Sequence, residues 1–215
     1  GGFPAFLAAA SDLGLDRIGR ADDAFLSHGA YGLFPGGTWQ GSVTTPFDPL
    51  AITEDTGRAW LADAPPRHPA QGETIVDADK AEVYTWCKAP RYAGQAFEVG
   101  ALARQLIAGH PLSCDMVTRS GGSVMARVVA RLLELALVVP AMEGWVQALQ
   151  PGEAFCASGE MPDEASGVGL VEAARGSLGH WLSIRRGLIE RYQIIAPTTW
   201  NFSPRDSAGQ PGPLE

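Results

Sequence analysis

Apolar residues recur at helical spacing in residues 96–109. They lie three or four positions apart and fall near one face of a helix; they are Phe97, Ala101, Leu102, Leu106 and Ile107. Gly109 followed by Pro111 is typical of a helix end. The pattern therefore predicts one helix over these residues.

A longer helical pattern covers residues 123–149. Its apolar stripe is broad and predicts a helix that packs on the core; the stripe consists of Val124, Val128, Leu132, Leu135 and Val139. Arg131 and Glu134 lie off the stripe, and their spacing predicts that they pair. Pro140 predicts a kink or a break in the helix.

The pattern becomes strand-like after Gly179. Residues 180–184 and 188–195 flank Arg185-Arg-Gly187, which predicts a β-hairpin that turns at the glycine. The last ten residues, rich in Gly and Pro, predict a loop.

Residues 1–80 are rich in Gly, Pro and short apolar runs. They predict loops and short strands, such as one at Thr38–Thr44, and residues 64–69 predict an extended connector. The fold class predicted for the chain is α+β, with long central helices and a C-terminal β-hairpin. We expect a single incomplete domain over residues 1–215: irregular over 1–80, helical over 81–150, and loop with hairpin over 151–215.

Composition restricts the class of protein. The chain has 215 residues, enough for a sizeable core, and a net charge of −8, which argues against a nucleic-acid binder. No apolar run approaches the ~20 residues of a membrane span, and no secretory signal is expected in this piece. Cys87, Cys114 and Cys156 are too scattered for a disulfide or zinc site, so we predict free thiols and a cytoplasmic location, with any membrane association through a partner.

Several common motifs are absent from the sequence. There is no nucleophile elbow and no phosphate-binding loop of the Walker type. Gly167-Val-Gly169 lacks the third glycine of a dinucleotide loop and is interpreted as a flexible turn. The acid pairs Asp22-Asp23 and Glu54-Asp55 are interpreted as solvated surface.

Two segments have candidate chemistry. Arg175 sits among small residues, and a guanidinium there should meet either a carboxylate in a salt bridge or an anionic ligand. Thr198 follows the outgoing strand of the predicted hairpin. It either caps a turn or presents its hydroxyl and its backbone N–H to one acceptor.

Five blocks of sequence resemble, in order, the large subunit of nickel–iron hydrogenases. They are Tyr84-Thr-Trp-Cys-Lys-Ala-Pro-Arg-Tyr92 with Glu98-Val-Gly-Ala-Leu-Ala-Arg104, the helix Ala126-Arg-Val-Val-Ala-Arg-Leu-Leu-Glu134, Val171-Glu-Ala-Ala-Arg-Gly-Ser-Leu-Gly-His-Trp181, Ala196-Pro-Thr-Thr-Trp-Asn-Phe-Ser-Pro-Arg-Asp206, and Gly209-Gln-Pro-Gly-Pro-Leu-Glu215. The resemblance is close over residues 80–215 and loose before them. It implies that the chain is part of a larger hydrogenase large-subunit fold.

The resemblance also implies a site. In that family four cysteine thiolates hold nickel, and the iron carries carbon monoxide and two cyanides. Positions matching Ala174, Arg175, Pro197 and Thr198 surround the cyanides, and Arg175 is implied as a catalytic partner in splitting dihydrogen. The backbone carbonyl matching Ile194 is implied to bind a magnesium or iron ion.

Two departures from the family pattern qualify this resemblance. Ala174 stands where the family usually has proline, which should loosen the loop and points toward the subgroup of cytoplasmic uptake enzymes and dihydrogen sensors. The cysteine pairs that hold nickel are not found, so we expect no nickel ligands in this chain and no activity in the isolated fragment.

The function implied is dihydrogen oxidation by the full subunit, with an iron–sulfur small subunit as partner. One alternative is a regulatory dihydrogen sensor of the same fold, with a signalling kinase as partner. The other is a metal-free scaffold relative in a respiratory complex. No nucleic acid and no direct membrane span are expected.

Overall fold

The computed structural model describes residues 2–154 and 156–215. In that part of the chain the helices are α1 (Gly2–Asp12), α2 (Ala101–Ile107), α3 (Pro111–Ser120), α4 (Val124–Ala148) and α5 (Pro197–Asn201). The strands are β1 (Ala24–Ser27), β2 (Gly37–Gln40), β3 (Val43–Thr45), β4 (Ile52–Asp55), β5 (Ala89–Tyr92), β6 (Glu98–Val99), β7 (Glu164–Ala173), β8 (Gly176–Arg185) and β9 (Leu188–Ile195). The predicted α+β class is confirmed.

The described strands form three sheets. The first has the order β3-β2-β1-β6, with β6 parallel to β1 and the other neighbours antiparallel. Strands β4 and β5 form an antiparallel pair, and β7-β8-β9 form an antiparallel sheet in chain order. Strand β1 serves two cores because successive side chains point to opposite faces: Phe25 packs with α2, and Leu26 packs with Trp181 and Trp200.

The central helical region differs from its prediction. Gly100, with a φ of 133°, precedes α2, and all seven residues of α2 are buried. Pro111 then begins α3 instead of only ending the helix before it, because its fixed φ suits the first helical position. Residues 81–100, assigned to the helical part, contain β5 and β6.

Helix α4 is present as predicted, with Ser123 as its N-cap. It continues through Pro140, so the predicted break does not occur. The buried face is made by Ala126, Val129 and Ala130, whereas Leu135 and Val139 of the predicted stripe are exposed. The stripe prediction therefore fails in the second half of the helix, where Leu135 and Val139 stay exposed although Tyr31 packs against Trp145 at 5.6 Å.

The predicted pairing of Arg131 with Glu134 is wrong. Arg131 donates to the carbonyl of Arg127 at 3.2 Å, and Glu134 pairs with Arg104 of α2. Both Glu134 oxygens are taken by that buried guanidinium, which offers a planar fork that fits a carboxylate.

The C-terminal hairpin is confirmed. Strands β8 and β9 join at Arg186 and Gly187, whose φ values of 54° and 69° suit a two-residue hairpin turn. Gly167 and Gly169 belong to β7, so the predicted flexible turn is wrong. Their alternation with larger residues is compatible with a strand once β8 supplies a partner.

The N-terminal part also has one element that was not predicted. The expected short strand near Thr38 is the β2–β3 hairpin, but residues 2–12 form helix α1, whose Ala-rich sequence favours a helix.

No helix in the described residues has the length and apolar character required to cross a lipid bilayer.

The interpretation of Glu54 and Asp55 as solvated surface is wrong. Both are buried. Asp55 accepts from the backbone N–H of Gly57 at 2.7 Å and from Ser207, and Glu54 lies 3.7 Å from the ammonium of Lys88. Burial raises the pKa of Glu54, and the Lys88 charge opposes that shift. Strand β4 is interior, so the hydrogen bonds of Asp55 and the nearby charge of Lys88 offset the cost of burying its two carboxylates.

Candidate functional site

The turn between β7 and β8 carries Ala174 and Arg175. Both residues are exposed. Among the described residues, no carboxylate lies within salt-bridge distance of Arg175, so the predicted structural salt bridge is not found. The other alternative, an anionic ligand, stays a prediction.

The backbone of this turn is fixed from two sides. Arg104 donates from Nη1 to the carbonyl of Ala173 at 3.0 Å and from Nη2 to the carbonyl of Ala174 at 3.2 Å. On the other side the turn approaches Gly100, where an added Cβ would lie 3.2 Å from the Arg175 carbonyl oxygen. The Arg175 side chain is therefore exposed, whereas the backbone of its turn is held by these contacts.

Pro197 and Thr198 begin helix α5, directly after β9. Ala196 is the N-cap residue and makes no side-chain cap, while Thr198 is exposed. Within the described residues the Thr198 hydroxyl has no hydrogen-bond partner, so its predicted role as a turn cap is wrong. The hydroxyl is open to an external acceptor.

Strand β6 joins the two segments. The side chain of Asn201, in α5, accepts from the Val99 N–H and donates to the Val99 carbonyl, both at 2.9 Å. Gly100 follows Val99 and contacts the Arg175 turn. In the third sheet Ile195 pairs with Gly179, which puts the start of β8 and the end of β9 at one end. The end of β6 therefore contacts both the Arg175 turn and the helix that carries Thr198.

Ile194 lies one residue before the end of β9, paired with His180, and its side chain is half exposed. It shares a sheet with the Arg175 turn. The binding of a metal ion by its carbonyl is not tested by these contacts and stays a prediction.

A buried charged cluster lies behind the turn. Arg104 meets Glu134 at 2.6 Å and Glu172 at 2.6 Å, and Glu172 also accepts from Ser177 and from the backbone N–H of His28 at 2.8 Å. Burial works against the charge of Arg104, but the two carboxylates outweigh it and hold the pKa of Arg104 above its usual range. These residues were not among those predicted from the sequence.

His28 packs on the ring of Phe47 at 4.8 Å, and its Nδ1 lies 3.3 Å from the carbonyl of Leu178. Burial lowers the pKa of His28 from 6.5 to about 4, with the Leu178 hydrogen bond opposing. The folded protein therefore keeps this imidazole neutral at pH values where the unfolded chain protonates it.

We expect unfolding to take up as much as one proton at His28 between pH 4 and 6.5. The unfolded chain binds more protons in this window, so the free energy of unfolding decreases as the pH falls from 6.5 to about 4. Denaturant titrations of the wild type and of His28→Gln at several pH values measure this slope. The variant should have a shallower slope, and equal slopes would contradict the assignment.

The described residues contain no cluster of three His, Cys, Asp or Glu side chains that could hold a metal ion. Cys87 and Cys156 are exposed, and Cys114 packs beside the α2 core, where burial raises the pKa of its thiol. These residues do not suit nickel ligation. The exposed donors of Arg175 and Thr198 suit anionic acceptors.

Comparisons with known proteins show the family of the chain. Residues 19–215 match the family described as nickel-dependent hydrogenase. The chain is 36% identical to the periplasmic [NiFeSe] hydrogenase large subunit of Desulfomicrobium baculatum, over 79% of this chain and 37% of that protein. It is 34% identical to the uptake hydrogenase large subunit of Azotobacter chroococcum mcd 1, over 86% and 39%.

Solved structures show the same likeness. The H2-activated [NiFeSe] hydrogenase of Dm. baculatum superimposes with a TM-score of 0.88 at 32% identity, covering 98% of this chain and 48% of that one. The Ni-Fe-Se hydrogenase of D. vulgaris Hildenborough gives a TM-score of 0.86 at 32% identity, over 95% and 48%. This chain spans less than half the length of these proteins. The predicted family is confirmed: the chain belongs to the nickel-dependent hydrogenases.

Proposed function

We propose that this chain forms part of a nickel–iron hydrogenase large subunit that oxidises dihydrogen to protons and electrons. The observation that carries the proposal is Arg175, an exposed guanidinium without an ion pair in the described residues, on a turn fixed by buried groups. Membership of the nickel-dependent hydrogenase family supports it.

When bound, a nickel–iron centre with carbon monoxide and cyanide ligands supplies the metals that polarise dihydrogen. The four nickel-binding cysteines are proposed to lie outside this chain. Arg175 provides a permanent positive charge and five N–H donors, which hydrogen-bond anionic ligands and stabilise negative charge that develops nearby. Because the backbone of the turn is held, the origin of this side chain is fixed, which limits the reorganisation of its charge to rotations within the side chain.

Three further positions complete the proposed wall of the site. The hydroxyl of Thr198 donates to the same class of anionic ligand. Ala174 presents a small apolar side chain to this site, and Pro197, buried at the start of α5, fixes the backbone that carries Thr198. Exclusion of water by the rest of the subunit would strengthen each of these hydrogen bonds. The backbone carbonyl of Ile194 is proposed as a ligand to a magnesium or iron ion, a role typical of carbonyl oxygens toward hard cations.

The proposed partner is an iron–sulfur small subunit, which would take the electrons. The location in the cytoplasm stays a prediction, since one similar protein is named as periplasmic. The sensor and scaffold alternatives, including a signalling kinase as partner, have no specific contact in their favour.

The decisive experiment uses the complete subunit purified with its small subunit. Nickel is measured by elemental analysis, and turnover is measured as dihydrogen-dependent reduction of a viologen dye. We expect about one nickel per complex and sustained dye reduction, at a kcat within the common range of roughly 1–1000 per second. The isolated 215-residue chain is the control and should show neither.

The other outcomes identify the rivals. If the complex contains nickel and binds dihydrogen tightly but sustains no dye reduction, the sensor becomes the supported function. A complex without nickel would replace it with the metal-free scaffold.

A further inference from the structure

The buried guanidinium of Arg104 uses every hydrogen-bond donor that it has. Its side chain is 3% exposed, in a helix whose other residues pack into the core. The five N–H groups reach Glu134 Oε1 at 2.6 Å, Glu134 Oε2 at 2.8 Å, Glu172 Oε2 at 2.6 Å, the Ala173 carbonyl at 3.0 Å and the Ala174 carbonyl at 3.2 Å. An unpaired charge at this depth would be costly, so the geometry is strongly specified.

One carboxylate is enough to neutralise the single charge of the guanidinium. Arg104 already has two carboxylate partners, Glu134 and Glu172, yet its remaining donors extend to two successive backbone carbonyls of the Arg175 turn. The ring of Phe34 lies 5.5 Å from the guanidinium carbon and limits its movement on another side. The carboxylates thus hold the guanidinium, and the guanidinium holds the turn.

We propose that Arg104 is the positioning residue for Arg175. It acts through the carbonyls of Ala173 and Ala174, which set the backbone from which the Arg175 side chain projects. This inference rests on the proposed function in so far as it concerns catalysis. Its structural part, the immobilisation of the turn by Arg104, stands on the contacts of this chain alone.

Lysine cannot replace this arrangement. An ammonium has three N–H donors on one atom and no planar fork, so it cannot bind a carboxylate in two places and still reach both carbonyls. Arg104→Lys keeps the charge and removes the link to the turn. The substitution therefore separates the charge of the cluster from its geometry.

Arg91 offers a matched control. Its side chain is 4% exposed and it also uses five donors. These reach Asp206, Ser203 and the carbonyls of Pro90, Pro204 and Gln210. Arg91→Lys therefore disturbs a guanidinium of similar burial and connectivity that touches no residue of the Arg175 turn.

The first test is hydrogen–deuterium exchange in the complete subunit with its partner. Arg104→Lys should speed exchange of the backbone amides of residues 173–177 roughly tenfold. Arg91→Lys should instead act on residues 203–210. Unchanged exchange at 173–177 in Arg104→Lys, or the same increase in both variants, would overturn the proposal.

The second test is a double-mutant cycle on dye reduction. Arg104→Lys should lower kcat roughly tenfold with little change in KM for dihydrogen, because a misplaced group costs turnover. In an Arg175→Lys background it should lower kcat less than twofold, since the residue through which it acts is already altered. Equal losses in both backgrounds would refute the link. Absent turnover in the wild type would refute the proposed function, and the exchange result would remain decisive for the turn.

A milder variant keeps the proposal testable if Arg104→Lys does not fold. Glu134→Gln preserves the shape of the side chain but removes its negative charge and one of its two acceptor oxygens, so the guanidinium is held less firmly. It should raise exchange at residues 173–177 by a smaller factor, roughly threefold. No increase there would contradict the proposal.

Discussion

Arg175→Lys in the complete complex should reduce the kcat for dihydrogen oxidation about 100-fold while nickel content stays near that of the wild type. The substitution keeps a positive charge, but it replaces a rigid fork of five donors with a flexible point charge. The described residues give Arg175 no structural partner, so the fold should not depend on it. Dye-reduction kinetics and elemental analysis of the same preparation measure both quantities.

Arg186→Lys is the matched control. Arg186 is also an exposed arginine in a two-residue turn of the same sheet, between β8 and β9 and so at the end opposite to Arg175. Its substitution should leave kcat within twofold of the wild type. If Arg175→Lys also retained full turnover, Arg175 would have no catalytic role.

Gly176→Ala should destabilise the subunit by about 3 kcal/mol or more. Gly176 has a φ of 131°, which residues with a side chain rarely adopt. An added Cβ would lie 2.5 Å from Val99 Cγ2 and 2.8 Å from the backbone nitrogen of Gly100. The backbone there cannot move without displacing the Arg175 turn. Denaturant unfolding of the purified subunit measures the loss.

Gly187→Ala separates the cost of a positive φ from the cost of the close contact with Val99 and Gly100. Gly187 has a φ of 69° in the other turn, but an added Cβ would come no closer than 3.9 Å to Asp163. It should therefore cost only about 1 kcal/mol, the conformational part. Equal losses in the two variants would show that the approach to β6 adds nothing.

The local sequence pattern was sufficient to predict the elements that depend mainly on residues close together in the chain. The β8–β9 hairpin follows from Gly187 between two strand-like runs, and α4 follows from its periodic apolar residues and the Ser123 cap. The sequence could not indicate which face of α4 is buried. That choice depends on α2, whose Arg104 draws Glu134 inward from 30 residues away.

The residues that support the candidate site were missed for the same reason. Arg175 and Thr198 could be singled out from their local setting, and the resemblance then implied their roles. In contrast, Glu172 meets Arg104 across 68 residues and Asn201 meets Val99 across 102. Periodicity carries no information at such separations. One local feature was available: a charged residue within the apolar helix of residues 101–107 must find partners, which marks Arg104 as unusual.

The hydrogen bonds between Val99 and Asn201 also set an order of events during synthesis. Val99 is synthesised 102 residues before Asn201, whose side-chain oxygen accepts the hydrogen bond of the Val99 N–H. At ordinary translation rates that interval is roughly 5–20 s. Until then β6 lacks its contact with α5, so the support that the Arg175 turn and helix α5 share is completed only after Asn201 has been synthesised. A product truncated before residue 201 would keep β6 unpaired on that side, where it is open to association with other chains.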